Sequence, residues 1–224
     1  MSFFYEDRLS SSPLIESIWH TRGESTGCHL AIADGSWDFI VIRMGDQTSM
    51  FVAGASTQAA PIPYEPGIEY VGIRMKIGAF MPQWPASDFL DNMVQLPKAT
   101  QHSFWLHDAM LEIPTFENVE TFIEKLVRKH LVTFDPIIEA SLQGDHDMSL
   151  RSIQRHFVNA TGITQAMIRQ IERARYAQTL LLEGKSILET VFAAGFTDQP
   201  HMTKAMKQFI GLTPGQLARL NQSR

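Results

Sequence analysis

The spacing of apolar residues changes along the chain, from short runs in the first third to a helical period in the last third. Four early runs are rich in β-branched and aromatic residues and are separated by Ala-Asp-Gly, Gly-Asp, Ala-Gly-Ala and Pro-Gly turns. Such runs between turn residues predict strands. The predicted strands, which together form a small antiparallel β unit, cover residues 28–33, 37–44, 49–52 and 70–77.

A helix is predicted after the β unit, with Thr115 as its N-cap. Its apolar stripe fits a helix that packs on its own core, and the alternative that we keep is pairing with its copy in a second subunit. The stripe consists of Phe116, Val119, Phe122, Ile123, Leu126, Val127 and His130. A further helix is expected to begin at Pro136, with Asp135 as its cap.

The last 77 residues contain two copies of a layout in which a short helix, a turn and a second helix follow one another. In the second copy, residues 195–197 form the turn, Asp198 caps the next helix, and Pro200 is tolerated in its first turn. Ile187, Val191 and Phe192 are expected to face inward, as are Met202, Ala205, Met206 and Phe209. The outward face then carries Pro200, His201, Thr203, Lys204 and Lys207.

The first copy begins with Ser149 as a cap and lies about 48 residues earlier. Leu150, Ile153 and Phe157 are expected inside, and Arg151, Gln154 and Arg155 outside. A helix over residues 166–182 separates the copies and is roughly 26 Å long at 1.5 Å per residue. A spacer of this length suits two recognition helices in successive major grooves, about 34 Å apart.

Charge divides the chain at nearly the same place as the structure types. The formal net charge is −5, but residues 1–147 hold 9 Lys+Arg against 20 Asp+Glu, whereas residues 148–224 hold 10 against 4. A basic segment attached to an acidic one indicates a nucleic-acid partner for the basic part. An Arg or Gln side chain can form two hydrogen bonds with one base edge. Further Arg and Lys side chains, and a Ser hydroxyl, suit contacts with phosphates. The predicted phosphate set is Ser149, Arg169, Arg173, Arg175, Lys185 and Lys207.

The same segment resembles the DNA-binding domain of AraC/XylS-type transcription regulators. The matching pieces are Ser149 to Phe157, Thr161 to Thr164, Glu172 to Arg175 with Leu180-Leu181, Gly184 to Ile187, Ala194 to His201, and Lys207 to Pro214. The resemblance implies that Arg151, Gln154 and Arg155 read bases from the first motif. In the second motif it implies that the base-reading residues are Gln199, Pro200, His201, Thr203 and Lys204.

Several residues depart from the family pattern. Gly144 lies where the first helix of the first motif is expected, so that motif is predicted to be shortened or distorted, and Asp145 and Asp147 should weaken phosphate binding nearby. Phe192 replaces a small residue, while Met202 and Met206 replace phenylalanines, which we interpret as a compensated exchange of core volume.

The first half resembles the β-rich sensor domain that precedes this DNA-binding domain in one branch of the family. The similarity lies in Pro13 to Ile15 with Trp19, Ala33 to Ile40, Ala53-Gly54, and Val71 to Ala79, although Ala33 and Ile77 stand where prolines are common. It implies a cupin-like half-barrel that binds an effector. Trp37 and Arg74 are the candidate effector contacts, with core packing and a solvated strand face as the respective alternatives.

Other classes of protein are disfavoured. Cys28 is the single cysteine, which excludes an internal disulfide and predicts a buried structural thiol. His20, Glu24 and His29 lack metal-ligand spacing, so no metal and no cofactor are predicted. Catalytic motifs are not found, and an enzyme is not expected. Neither a membrane-spanning run nor a secretion signal is found, which predicts a cytoplasmic protein.

We therefore expect an α+β chain with a sensor domain over residues 1–133 and a DNA-binding domain of two helix-turn-helix motifs over residues 134–224. The predicted function is sequence-specific regulation of transcription, controlled by a small-molecule effector or partner. Double-stranded DNA is the expected partner, together with RNA polymerase if the protein activates, and a homodimer is a further expectation. The alternative is a binding module whose degenerate helical domain no longer reads DNA.

Overall fold

The structure is a computed structural model that describes residues 3–144 and 148–222. The chain folds into two compact units. The first unit comprises Met1–Cys28, Ser36–Ala55 and Pro63–Thr164, and the second comprises His29–Gly35, Ser56–Ile62 and Gln165–Arg224. Two short segments of the N-terminal half are thus part of the second unit. The domain boundary at residues 133 and 134 stays a prediction.

Thirteen strands are found in the described part of the chain, most of them in its first half. Their bounds, β1 to β13 in order, are Phe3–Arg8, Ile15–Gly23, Gly27–Ala31, Asp38–Met44, Gln47–Ala53, Ala60–Tyr64, Ile68–Met75, Ala79–Phe80, Met93–Gln95, Lys98–Thr100, Ser103–Leu106, Ala109–Glu112 and Thr133–Phe134. A short 3-10 helix covers Ala86–Asp88.

Within residues 3–144 and 148–222, seven α-helices follow or interrupt these strands, and all but the first lie after residue 135. Their bounds, α1 to α7 in order, are Val119–Arg128, Pro136–Gln143, Leu150–Thr161, Gln165–Leu182, Ile187–Ala193, Gln199–Phe209 and Pro214–Gln222. The predicted order, antiparallel strands first and then a helical part with two helix-turn-helix motifs, is confirmed.

The main sheet of the first unit is antiparallel and has six strands in the order β1-β2-β7-β4-β5-β9. It is open, with β1 and β9 at its edges, which agrees with the predicted half-barrel. In its centre Phe39 pairs with Ile73 across β4 and β7. Alternate side chains of both strands enter the core, as the period of two requires.

Helix α1 packs on this core. Four of its stripe residues are buried, namely Val119, Phe122, Ile123 and Leu126. The ring of Phe122 lies 5.6 Å from that of Phe39. The stripe therefore faces the core of its own subunit, while Val127 and His130 are exposed. The N-cap prediction was wrong by three residues, because Asn118 holds the cap position and Thr115 instead donates its backbone N–H to the Asn118 side chain.

Cys28 is exposed in β3, so the prediction of a buried thiol was wrong. The run that predicts this strand has the apolar composition of a core strand, but β3 pairs only with β6 in a two-stranded sheet. Unlike β4 and β7, strand β3 contributes no residue to the described hydrophobic core. The side chains of Cys28 and His29 are consequently left at the surface.

An ion pair joins β1 to α1. Arg8 donates from Nη1 to Glu120 Oε1 at 2.5 Å and from Nη2 to Oε2 at 3.0 Å, and it also donates to the carbonyl of Phe116 at 2.7 Å. Ser10 donates to the same carboxylate at 3.0 Å. The hydrogen bonds from Arg8, followed by those from backbone and Ser10, lower the pKa of Glu120 from 4.5 to about 2.

Glu120→Gln is expected to lower the free energy of unfolding by about 1 kcal/mol at pH 7, because solvent screens this half-exposed pair. Since the folded-state pKa is depressed, the stabilisation is present above pH 4.5 and is lost as the pH falls through about 2. Urea unfolding of both proteins across this range should show the difference shrinking with acid. Glu124→Gln, an exposed change on the same helix, is the control, and an equal loss there would contradict the assignment.

Candidate nucleic-acid interface

The first helix-turn-helix motif consists of α2 and α3. Asp135 caps α2 by accepting from the Ile137 N–H at 3.0 Å, and Ser149 caps α3 by accepting from the Ser152 N–H at 3.3 Å, so both predicted caps are confirmed. A hydrogen bond of 2.5 Å joins His156 Nδ1 on α3 to Asp135 Oδ2. The capping side chain of one helix thereby fixes the position of the other.

Helix α2 has eight residues and ends at Gly144, which has a φ of +81°. The predicted shortening of the first motif agrees with this helix length. Helix α3 begins at Leu150. Asp145 and Asp147, which were expected to weaken phosphate binding, lie outside the described residues.

Helix α3 presents the three predicted base-reading residues to solvent. Arg151, Gln154 and Arg155 are exposed, while Ile153 and Phe157 are buried on the opposite face. The prediction for Leu150 was wrong, because its side chain is 79% exposed. Leu150 is the first residue of α3, and burial begins one turn later. The use of the three exposed residues in reading bases stays a prediction.

Helix α4 covers Gln165–Leu182, close to the predicted residues 166–182. Its buried face contains Ile168, Ile171 and Ala174, and its other face lines an open groove. The groove residues are Gln165, Ala166, Arg169, Gln170 and Arg173. Arg169 and Gln170, both exposed on this face, give the groove donors of the kind that bind phosphate.

The second motif consists of α5 and α6. Ser186 and Glu189 form a capping box at the start of α5. Asp198 accepts from the His201 N–H at 2.7 Å and so caps α6, as predicted. The four residues that were expected inside α6 are all buried, namely Met202, Ala205, Met206 and Phe209. Gln199, Pro200, His201 and Lys204 are exposed, and Thr203 is half-buried.

Phe192 corrects the interpretation of α5. We expected its ring in the core, balanced by the two methionines of α6, but it is 73% exposed. Helix α5 has only seven residues, and Thr190 and Val191 are its buried ones. Leu188 and Phe192 are four residues apart and share the exposed face. The ring therefore adds no volume to the core, and no exchange of volume takes place.

Arg173, Phe196 and His201 form a contiguous series of contacts at the turn of the second motif. The guanidinium carbon of Arg173 lies 4.7 Å from the centre of the Phe196 ring. The rings of Phe196 and His201 are 5.3 Å apart at an interplanar angle of 90°. The sequence predicts a phosphate contact for Arg173 and places Phe196 in the turn, inside the matching piece Ala194 to His201, but it does not predict the contact between them.

The other predicted phosphate contacts lie in several parts of the helical segment. Ser149, Arg169, Lys185 and Lys207 are exposed, and Arg175 is half-buried on α4. These positions are reached by solvent, as phosphate binding requires.

The C-terminal end of α6 is held by the two N-terminal segments of the second unit. The last carbonyls of a helix lack partners within the helix. Here the Ala33 N–H donates to the Phe209 carbonyl at 2.7 Å, and the Ala59 N–H donates to the Gln208 carbonyl at 2.8 Å. Residues near β3 and β6 thus act as a cap for α6, which the sequence does not predict.

The candidate effector contacts lie in the first unit. Trp37 is 3% exposed, donates from Nε1 to the Ala79 carbonyl at 2.7 Å, and packs against Phe39. Arg74 lies on β7 within 3.5 Å of the Asp38 carboxylate. This placement agrees with the core alternative for Trp37 and adds a carboxylate partner for Arg74. Their role towards an effector stays a prediction.

His20 is one of the three residues whose spacing does not fit a metal site. Its ring is hydrogen-bonded to a carboxylate on each side, at 2.8 Å to Glu6 and at 2.7 Å to Glu69. Among residues 3–144 and 148–222, no group of three or more His, Cys, Asp and Glu residues is arranged to hold a metal ion. In the same ranges, no helix is both long and apolar enough to cross a membrane.

The helices from α3 onward match a known protein family. Residues 145–220 match the family model that is described as a helix-turn-helix domain. These residues are a helix-turn-helix domain of the AraC type. The matched part of the AraC-type domain starts after α2 and includes α3 to α6. The resemblance inferred from the sequence is thereby confirmed.

Solved structures of ToxT from Vibrio cholerae are similar to the whole chain. The P21 form has 11% sequence identity, with 99% of this chain and 98% of that chain covered and a TM-score of 0.43. The structure from strain O395 has 10% identity, coverages of 99% and 97% and a TM-score of 0.42. ToxT with a bound unsaturated fatty acid has 11% identity, coverages of 95% and 93% and a TM-score of 0.37. No curated protein matches.

Proposed function

We propose that this protein is a sequence-specific DNA-binding regulator of transcription. The observation that carries the proposal is the AraC-type domain, in which two capped helices present Arg, Gln, His and Lys side chains to solvent. These side chains lie in the basic part of an otherwise acidic chain. A helix with such an exposed face fits the major groove, where base edges differ in their donors and acceptors.

In the first motif, Arg151 and Arg155 are suited to guanine and Gln154 to adenine, because each forms two hydrogen bonds with that base. In the second motif, the proposed base contacts are Gln199, Pro200, His201, Thr203 and Lys204. The proposed phosphate contacts are Ser149, Arg169, Arg175, Lys185 and Lys207, which orient the domain without selecting a sequence.

The test begins with a duplex selected from a random-sequence library by the full chain. Arg155→Ala is expected to cost about 1–3 kcal/mol on this duplex and to relax the preference at one base pair. Arg169→Ala should weaken selected and scrambled duplexes alike and reduce the slope of log affinity against log salt by about 1. Fluorescence anisotropy at several salt concentrations measures both effects.

Arg128→Ala is the matched control, since it removes an exposed arginine of α1, outside both motifs. It should change neither affinity nor preference. Equal affinity of the unchanged protein for selected and scrambled duplexes would contradict sequence-specific binding. It would favour the second candidate, a module that no longer reads DNA, which the short α2 and the start of the family match after α2 also favour.

We further propose that the N-terminal half controls DNA binding in response to an effector or a partner. The support comes from His29–Gly35 and Ser56–Ile62, which belong to the same compact unit as α4 to α7. Through Ala33 and Ala59 these segments hold the end of α6. Strands β3 and β6 run into these two segments. A change in either strand can therefore alter α6, the second recognition helix. RNA polymerase as a partner of an activator and a homodimer are part of this proposal.

A further inference from the structure

The turn of the second motif is held by a residue from another helix. Arg173 of α4 contacts the first two residues of this turn, with its cation over the Phe196 ring and Nη1 at 3.4 Å from the Gly195 carbonyl. Gly195 has a φ of +68°, a conformation that favours glycine. Because Gly195 allows this sharp turn, the next side chain, Phe196, is directed inward and is 5% exposed.

Cation–π attraction accounts for the position of Arg173. Its Nε is buried and lacks a hydrogen-bond partner among the described residues. A buried donor without a partner is unfavourable, and the 3.4 Å bond of Nη1 is long. The contact of the planar guanidinium with the Phe196 ring is therefore the main interaction of this side chain. The contact with Phe196 restricts the Arg173 guanidinium, which therefore cannot readily turn towards a DNA phosphate.

Phe196 in turn restricts His201. The backbone of His201 is fixed by the bond from its N–H to Asp198, so only the two side-chain torsions remain free. Edge-to-face contact with Phe196 at 5.3 Å and 90° selects one orientation of the imidazole. His201 stays exposed and lies in the first turn of α6, the part of a recognition helix that meets base edges.

We propose that Arg173 is a positioning residue that acts through Phe196 to orient His201, and that His201 determines specificity at one base pair. This inference rests on the DNA binding proposed above and replaces the phosphate contact predicted for Arg173. The two roles differ in their consequences. Loss of a phosphate contact weakens every sequence equally, whereas loss of positioning removes a preference at one base pair.

Binding of every single-base variant of the selected duplex tests the proposal. Arg173→Ala and His201→Ala should each reduce the preference at the same base pair about ten-fold, a loss within the range of one base contact. Affinity for a scrambled duplex should change less than about two-fold, because phosphates supply that affinity. Arg173→Lys keeps the cation over the ring and should restore part of the preference.

The double variant Arg173→Ala/His201→Ala should be no less selective than His201→Ala alone, because both changes remove the same base contact, that of His201. Arg175→Ala is the matched comparison on the same helix, and it should weaken all duplexes alike. If Arg173→Ala instead behaves like Arg175→Ala, with preference retained at every base pair, Arg173 is a phosphate contact and the positioning role is overturned.

Proton NMR of the DNA-free full chain tests the contact independently of DNA binding. The His201 ring signals, assigned by their loss in His201→Gln, should move in Phe196→Leu and in Arg173→Ala, but not in Arg175→Ala, because a ring contact shifts neighbouring protons. Unchanged signals in Arg173→Ala overturn the positioning role. Absence of sequence-specific binding by the unchanged protein instead defeats the proposed function, so the two failures are distinguishable.

Discussion

Replacement of Phe209 by alanine is expected to lower the free energy of unfolding by about 3–5 kcal/mol. The ring is 1% exposed and ends the apolar face of α6, after Met202, Ala205 and Met206. Its removal leaves a cavity. The backbone of α6 cannot move to close this cavity, because Ala33 and Ala59 hold the carbonyls of Phe209 and Gln208. The loss therefore includes both the transfer of the ring and the cavity.

Phe192→Ala removes the same side chain from the other helix of the second motif. Since that ring is 73% exposed, the change should stay within about 0.5 kcal/mol of the unchanged protein. Urea unfolding, followed by circular dichroism, measures both variants. A loss above about 2 kcal/mol for Phe192→Ala would restore the core role that the sequence predicts and contradict the placement of α5.

The contrast between these two phenylalanines shows what the sequence predicts well. In α6, the cap Asp198, the tolerated Pro200 and the apolar period are local features, and each was confirmed. In α5 the same kind of period fails, because a helix of seven residues has room for few buried positions. Which apolar residue of α5 is left outside is decided by how α4 and α6 pack on it, and the period within α5 does not specify that packing.

The β part shows the same division. Strands with uniform apolar or β-branched runs, such as β4 and β7, were predicted close to their bounds. Strand β1 was missed because it carries Glu6, Asp7 and Arg8, which is unusual for a strand interior but suits the edge of a sheet. The exposed side chain of Cys28 was missed for the converse reason, since β3 has an apolar composition but contributes no residue to the described hydrophobic core.

For the candidate site, exposure of the base-reading residues followed from helical spacing, but the contacts that organise them did not. Arg173 meets Phe196 across 23 positions, and Ala33 meets Phe209 across 176. No local pattern specifies pairs at such separations. One hint was present, because Ala33 stands where the resembling family commonly has proline, a residue that has no N–H to donate.

Ala33→Pro and Ala59→Pro are each expected to cost about 1–3 kcal/mol of unfolding free energy, and the double variant about 2–6 kcal/mol. Each change removes one N–H and leaves a helix-terminal carbonyl of α6, on Phe209 or Gln208, without its donor. The expected cost of each change comes from this lost donor. Urea unfolding measures it.

Ala33→Gly and Ala59→Gly are the matched controls, because glycine keeps the N–H and should cost only about 0.5–1 kcal/mol. Hydrogen exchange of the unchanged protein adds a test that needs no variant, since both amides should be protected within the second unit. Rapid exchange at Ala33 and Ala59, or equal losses for proline and glycine, would show that these segments do not hold α6. The proposed route from the N-terminal half to the second recognition helix would then fail, because these two donors are the contacts on which it rests.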